Sequence, residues 1–539
     1  MKKYMGNKSK IVSAIYEAAQ ELYPRPGTLF DAFSGTTNVG QYFKKQGYSV
    51  ISNDVNATSR LLGEVYLRQN ALPSFDTLFE SNCYSIQRIK KLTEEGTFQN
   101  AIQEFLSLNH NTNDETYMLS IQNTNAFRLL VYLSFFANDT DYIEGHYIYK
   151  LQAPDFIWRN FCFYGTNSKY FNLVSQKSIL SQIQKLESCG RRYNLSASLL
   201  PVIDLLHRVY TPPYDTASLS EAIRLLHNIA AEADNSNNVQ PEKSSNASAP
   251  TEPAAHQTTV LLQAAEKLTA LSRRTNHVGN RMFFSEIHGH KIDAINNLAL
   301  VWLRDGLITT DEYHYILCAL VEAAALFSNT SATYQAFYKT YRDNTQQTFR
   351  LIVPEIIPSE KEHYIYCEDT FELIQHIPQT YDILYLDPPY NWRIYDSNYH
   401  LLNLLSNFNQ IADSILEYES GIAGAAGENR TLIREYTNYN RRDTFEDLLF
   451  QLILRASCRY VIISYSDSRS NHNKNSLSSV NRIEAFLRDE TYFVPGSYRK
   501  IELNSINFES RKSERKDKIH ELLFIAEKKT KEPMLRCDE

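Results

Sequence analysis

Thr28-Leu29-Phe30-Asp31-Ala32-Phe33-Ser34-Gly35-Thr36-Thr37-Asn38-Val39-Gly40, followed by Tyr48-Ser49-Val50-Ile51-Ser52-Asn53-Asp54, is the stretch on which the fold turns. Thr28 to Phe33 reads as a short apolar strand, Ser34 to Gly40 as a glycine turn, Val39 to Gln46 as a helix and Tyr48 to Ser52 as a second strand. That succession is an α/β nucleotide-type unit. A glycine turn between strand and helix lets a ligand approach the backbone, and the helix N-terminus favours an anionic group. Asp54 lies 19 residues beyond Gly35 at the end of the second strand, where a carboxylate can accept hydrogen bonds from ribose hydroxyls. Thr37 stands where a G-x-G turn has its second glycine, which disfavours a dinucleotide pyrophosphate. Taken alone, the turn is equally a structural feature or a cofactor loop.

A second apolar strand, Tyr381 to Leu386, runs directly into Asp387-Pro388-Pro389-Tyr390. Two consecutive prolines fix φ and remove two N–H groups, so the turn aims carbonyl acceptors. With the Asp387 carboxylate and the Tyr390 ring, it suits a planar ligand bearing an exocyclic amino group. Tyr460 to Ser464 and Leu522 to Ala526 read as further strands.

Between Asp54 and Asp387 the pattern is mostly helical, with helical apolar spacing from Lys291 to Phe327. Residues 232–259, rich in Asn, Ser, Ala and Pro, read as a linker. The expected fold is α/β: a catalytic sheet domain interrupted by a large, mainly helical insertion. Residues 1–70 and 341–530 form its two catalytic parts, 71–340 the insertion, and 531–539 a tail.

Composition narrows the partners. Lys plus Arg number 55 against 62 Asp plus Glu, a net charge of -7, which excludes a protein that binds polyanions through bulk charge. A local basic surface is still compatible with DNA: Arg499 to Lys531 holds ten Lys or Arg against six Asp or Glu, with Arg511 to Lys518 the densest run. The 7 Cys are scattered without a CxxC pair, which predicts thiols in a reducing compartment and no zinc site. Neither a secretory signal nor an apolar run of membrane-spanning length is seen, so a soluble intracellular protein is expected.

These motifs in this order resemble the Dam-like alpha group of adenine-N6 DNA methyltransferases, particularly those of type II and IIS restriction-modification systems. Lys3-Tyr4-Met5-Gly6-Asn7-Lys8 resembles the group's N-terminal motif, which packs against the methionine part of S-adenosylmethionine. Asn280-Arg281-Met282-Phe283-Phe284 and Asn398-Tyr399-His400-Leu401-Leu402 resemble the same branch. The resemblance implies a Rossmann-like sheet of the S-adenosylmethionine-dependent methyltransferase type, target recognition within the 71–340 insertion, and S-adenosylmethionine as cofactor, with Tyr4, Lys8, Asp31, Phe33, Gly35, Asp54 and Asp387 in its site. It also implies an acidic contact to the cofactor adenine from Glu368 or Asp369, between which the sequence does not choose. Asp387, Pro388 and Tyr390 would be catalytic: acceptors for the target amine and a ring that stacks on the flipped base.

Double-stranded DNA is the implied partner, with a cognate restriction endonuclease acting separately and no metal or membrane. The implied location is the bacterial cytoplasm, nucleoid-associated through DNA. Cytosine-N4 methylation is the nearest alternative. A nuclease fusion, suggested by Glu514-Arg515-Lys516 and Glu527-Lys528-Lys529, or a DNA-binding protein without methyl transfer, is the alternative from another class.

Overall fold

Among the described residues seven strands form the central sheet, in chain order β1 (Thr28–Asp31), β2 (Ser49–Asn53), β3 (Tyr364–Tyr366), β4 (Ile383–Leu386), β5 (Tyr460–Asp467), β6 (Arg499–Ile506) and β7 (Lys518–Glu527). The computed structural model describes residues 8–110, 112–170, 173–210, 217–238, 252–274, 279–388, 395–429, 445–467, 480–506 and 518–529. The spatial order is β3-β2-β1-β4-β5-β7-β6. Strands β1 to β5 pair in parallel, and β7 runs antiparallel to both β5 and β6. This mixed α/β, mostly parallel sheet is consistent with the S-adenosylmethionine-dependent methyltransferase fold. The registers Leu29↔Val50, Leu29↔Ile383 and Leu384↔Val461 align apolar residues across β2, β1, β4 and β5.

Parity explains why these runs are continuously apolar rather than alternating: both faces of the sheet are buried. Leu29, Val50, Ile383, Ile462 and Leu523 join Ile15 and Ala19 of helix Val12–Leu22 and Phe43 of helix Asn38–Lys45 in one core layer. Phe30, Ile51, Leu384, Ile463 and Phe524 form the opposite layer with Leu373, Leu449, Leu452 and Ile483. The paired helices expected within Lys291 to Phe327 are Glu286–Arg304 and Thr310–Phe327. They are separated by Gly306 at φ 68°, and the second starts from a Thr309/Glu312 capping box.

The chain divides into two compact units. The one containing the sheet comprises Met1–Trp158, Phe283–Ser420 and Thr431–Glu539, so the helices of residues 76–158 and 286–327 belong with it. The other, Arg159–Met282 with Gly421–Arg430, contains the helices Leu173–Tyr193, Ser196–Tyr210, Ala217–Asn238 and Glu252–Arg274 around a core of its own that includes Ile183, Leu206, Leu226 and Leu268. Helix therefore extends into both ends of the segment read as a linker, through Asn238 and from Glu252. Residues 239–251 and the 531–539 tail lie outside the described residues. Among the described residues there is no helix long and apolar enough to cross a membrane, no cluster of His, Cys, Asp or Glu able to hold a metal, and no disulfide.

Candidate active site

The carboxyl ends of β1, β2, β3 and β4 converge where the chain connections diverge on either side of β1, the crevice in which open α/β sheets take ligands. Backbone bonds continue past the strands there: Ala32 N–H donates to Tyr385 O at 3.1 Å and Ser34 N–H to Asn53 O at 2.9 Å.

Asp31 ends β1 with only 1% of its surface exposed, and its Oδ1 has no hydrogen-bond partner among the described residues. Burial first, then the charges of Asp387 and Asp54, holds its carboxyl well above the usual carboxylate range; the Phe33 N–H opposes them. Beyond it, Gly35 has φ 49° and Thr37 φ 59°. The left-handed conformation costs a non-glycine residue about 1–2 kcal/mol. Buried Thr37 is held there by its hydroxyl, which donates to Thr36 O at 2.7 Å and accepts from Gln41 Nε2 at 2.9 Å. The turn thus adopts a shape natural to glycine while carrying threonine.

Asp54 braces this turn. Its Oδ2 accepts from Gly35 N–H at 2.9 Å, and its Oδ1 accepts from the N–H and side-chain amide of Asn56, each at 2.9 Å. Burial raises its pKa against these bonds. Asn56 Oδ1 in turn accepts from Asn403 Nδ2 at 3.2 Å, while Asn403 Oδ1 takes both the N–H and the hydroxyl of Thr58. The loop after β2 is thereby tied to helix Tyr395–Ser406, which follows the D-P-P-Y segment.

The loop after β3 is held by Asn53, whose buried amide donates to Glu368 O and Thr370 Oγ1, each at 3.1 Å, and accepts from Glu368 N–H at 3.1 Å. The two acidic candidates here differ. Asp369 Oδ1 caps helix Thr370–His376, accepting from Phe371 and Glu372 N–H at 2.9 and 3.3 Å. The Glu368 carboxylate instead meets the exposed His376 ring at 3.1 Å.

Asp387 follows β4. Lys8 Nζ lies 3.1 Å from its Oδ1 and 2.6 Å from Glu521 Oε1, and the same Oε1 accepts from Ser464 Oγ at 2.6 Å. Burial raises the Asp387 carboxyl to about 7; Lys8 opposes this and Glu521 reinforces it. Pro388 is buried. Tyr4, Pro389 and Tyr390 lie outside the described residues.

The structure thus gathers Lys8, Asp31, Gly35, Asp54 and Asp387, with Phe33, Glu368 and Asp369 on the adjoining loops. Sequence reasoning missed Asn53, Asn56, Asn403, Ser464 and Glu521. Glu521 did leave a signal, as the acidic residue heading the apolar Leu522 to Ala526 run.

Other expected features are occupied elsewhere. In Glu527-Lys528-Lys529, Glu527 pairs with Arg459 at 2.9 Å, and Lys528 Nζ donates to the carbonyls of Ile453 and Ala456 at the end of helix Phe445–Arg455. Arg499 and Lys500 pair with Glu21 and Glu484, each at 2.7 Å. Each of these three basic residues thus has a partner within the protein. Of the run Arg511 to Lys518, residues 511–517 lie outside the described residues, as does Glu514-Arg515-Lys516.

Comparison with known proteins adds a family to this geometry. The family model for D12 class N6 adenine-specific DNA methyltransferases matches residues 4–245 and 254–413. The type II methyltransferase M.NlaIII of Neisseria lactamica is 30% identical over 252 residues, 46% of this chain and 68% of that protein. M.FokI of Planomicrobium okeanokoites is 29% identical over 248 residues, 46% of this chain but only 35% of the longer relative. The modification methylase StsI of Streptococcus sanguinis is 38% identical over 124 residues, 23% of this chain and 19% of that one. No solved structure matches the chain. With a family model covering more than half of its residues, the chain belongs to the D12 class N6 adenine-specific DNA methyltransferases.

Proposed function

We propose that this protein is a site-specific methyltransferase acting on N6 of a flipped adenine in double-stranded DNA, as the modification enzyme of a restriction-modification system whose endonuclease is a separate protein. The observation that carries the reading is the convergence of Asp31, Asp54 and Asp387 in one crevice of a family member. All three carboxyls have raised proton affinity, and Asp31 keeps an unpartnered buried oxygen. That donor-hungry, cation-favouring set fits S-adenosylmethionine, which has an ammonium and a sulfonium. When bound, this cofactor supplies an electrophilic methyl group.

The residues do the rest. Asp31 would take the ammonium, and Asp54 would take ribose hydroxyls while holding the Gly35 turn. For the cofactor adenine we assign Asp369 over Glu368: its cap fixes the side chain and leaves Oδ2 as an acceptor, whereas Glu368 is engaged with His376. Asp387 and the Pro388 carbonyl would accept the two N6 protons of the target, favouring an amine-like nitrogen and stabilising the positive charge that develops on it. Tyr390 would stack on the base, offsetting part of the flipping cost. Adenine is favoured over cytosine-N4 because the matched family is adenine-specific. An enzyme with this substrate acts at the nucleoid of a bacterial cytoplasm.

Duplex contacts need positive charge, and residues 159–282 hold thirteen Lys or Arg against nine Asp or Glu within a chain of net charge -7. We assign phosphate contacts to this helical unit and to the 511–518 run. The test is tritiated-methyl transfer to DNA from a methylation-deficient host. Asp387→Ala should lose activity by about 10² or more while retaining its fold. Undiminished transfer would sink the mechanism, and N4-methylcytosine as product would sink the substrate assignment.

A further inference from the structure

Glu521 lies outside the residues the family model matches, and the reading above gives it no part. It is 6% exposed on β7, on the strand face shared by Leu523 and Ile525, which pack in the apolar layer beneath the site. A carboxylate there is unfavourable unless matched. Its Oε1 receives the Lys8 ammonium and the buried Ser464 hydroxyl, each at 2.6 Å. The same ammonium stands 3.1 Å from Asp387 Oδ1, so one buried cation is shared by two carboxylates. The four groups come from the N-terminal segment, the end of β4, and strands β5 and β7; 513 residues separate Lys8 from Glu521.

We propose that Glu521 is a positioning residue for methyl transfer: by holding Lys8 between two carboxylates, it keeps Asp387 a competent acceptor instead of the inert half of a closed ion pair. The proposal rests on the role given to Asp387 above. A methylated N6 carries a positive charge and must shed one N–H proton. Asp387 takes that proton, which leaves a neutral secondary amine and a neutral carboxyl, and the carboxyl then returns the proton to water. A carboxylate tied one-to-one to an ammonium is a poor base; one that shares the ammonium with a second anion stays basic. The other titratable groups facing Asp387 are Asp31 from β1 and the Tyr385 phenol of β4, and Asp54 acts through Asp31. Neither replaces Lys8, the cation both carboxylates share.

The test is the pH profile of kcat/KM on unmethylated DNA, whose acid limb reports a free-enzyme group that must be ionised. Glu521→Gln removes a nearby negative charge, so its limb should move to lower pH by about one unit, with reduced kcat on the plateau. Lys8→Met removes the positive charge, and its limb should move to higher pH by about as much. Glu521→Asp should return the limb toward the wild-type position. Coincident limbs in wild type and Glu521→Gln, or shifts of the same sign in both variants, overturn the proposal. Should Glu521→Gln not fold, Lys8→Met decides: a limb unmoved or lowered overturns it. Asp387→Asn is measured alongside. Wild-type turnover in that variant sinks the role of Asp387 itself, whereas an inactive Asp387→Asn with unmoved limbs sinks only the role of Glu521.

Discussion

Asp31 holds a costly buried carboxyl at the position to which we assign the cofactor ammonium. Its carboxyl is buried and short of a partner at Oδ1, and its pKa is raised by burial and by Asp387 and Asp54. A carboxyl whose pKa rises on folding is destabilising when ionised. The penalty is absent below the unfolded-state value of about 3.9, grows as pH rises and is complete above the folded value. Asp31→Asn should therefore raise Tm at pH 8 and change it little near pH 4, while weakening binding of S-adenosylmethionine. An unchanged Tm at pH 8 would show that Asp31 is better compensated than its surroundings indicate. Thr37 makes the complementary point: a residue that looks wrong for a glycine turn reaches the left-handed region because two side-chain hydrogen bonds hold it there.

Among elements, the short ladder Ile422–Ala423 with Glu428–Asn429 depends on one buried cation. Arg281 is 2% exposed and donates to Gly424 O from Nε at 3.2 Å and Nη2 at 2.9 Å, and from Nη1 to Asn160 O at 3.2 Å and Asn167 O at 2.9 Å. Gly427 lies against it at φ +72°, where a Cβ would stand 2.7 Å from the Phe161 ring and 2.9 Å from Arg281 Nε. Arg281→Met removes all four of these buried charge-assisted hydrogen bonds and should cost about 3 kcal/mol or more in urea denaturation. Gly427→Ala should cost at least about 1–2 kcal/mol from backbone strain alone. Asn280 to Phe284 carried a family resemblance in the sequence; what the resemblance did not reveal is that Arg281 is an internal anchor. Its partners are carbonyls, which leave no trace in side-chain pattern.

At the scale of the whole molecule, charge is unevenly distributed: residues 159–282 are net positive, and the remainder is more negative than the whole. Arg191 and Arg192 are exposed at the end of helix Leu173–Tyr193. Replacing both with Gln should weaken DNA binding uniformly across sequences and flatten the plot of log K against log salt by about 0.9 per lost contact. An unchanged slope would remove this unit from the phosphate interface. The sheet, by contrast, was legible from local pattern: strands near residues 28, 49, 383, 460 and 518 appear as apolar runs because both their faces are buried. So were the positions of Asp31, Gly35, Asp54 and Asp387 at strand ends and turns, because strand ends followed by glycine or proline turns are local signals. Short β3 and polar β6 carried no such run. The helical ends of the 232–259 segment were also missed, because helix there prevailed over a composition typical of linkers. What the sequence determined by itself was the kind of fold and the chemistry lining its crevice, since periodicity and turn residues act over a few positions. Only the tertiary structure decided that Ser464 and Glu521 join Lys8 beside Asp387, because burying a charge selects partners by proximity in space across 513 residues of chain.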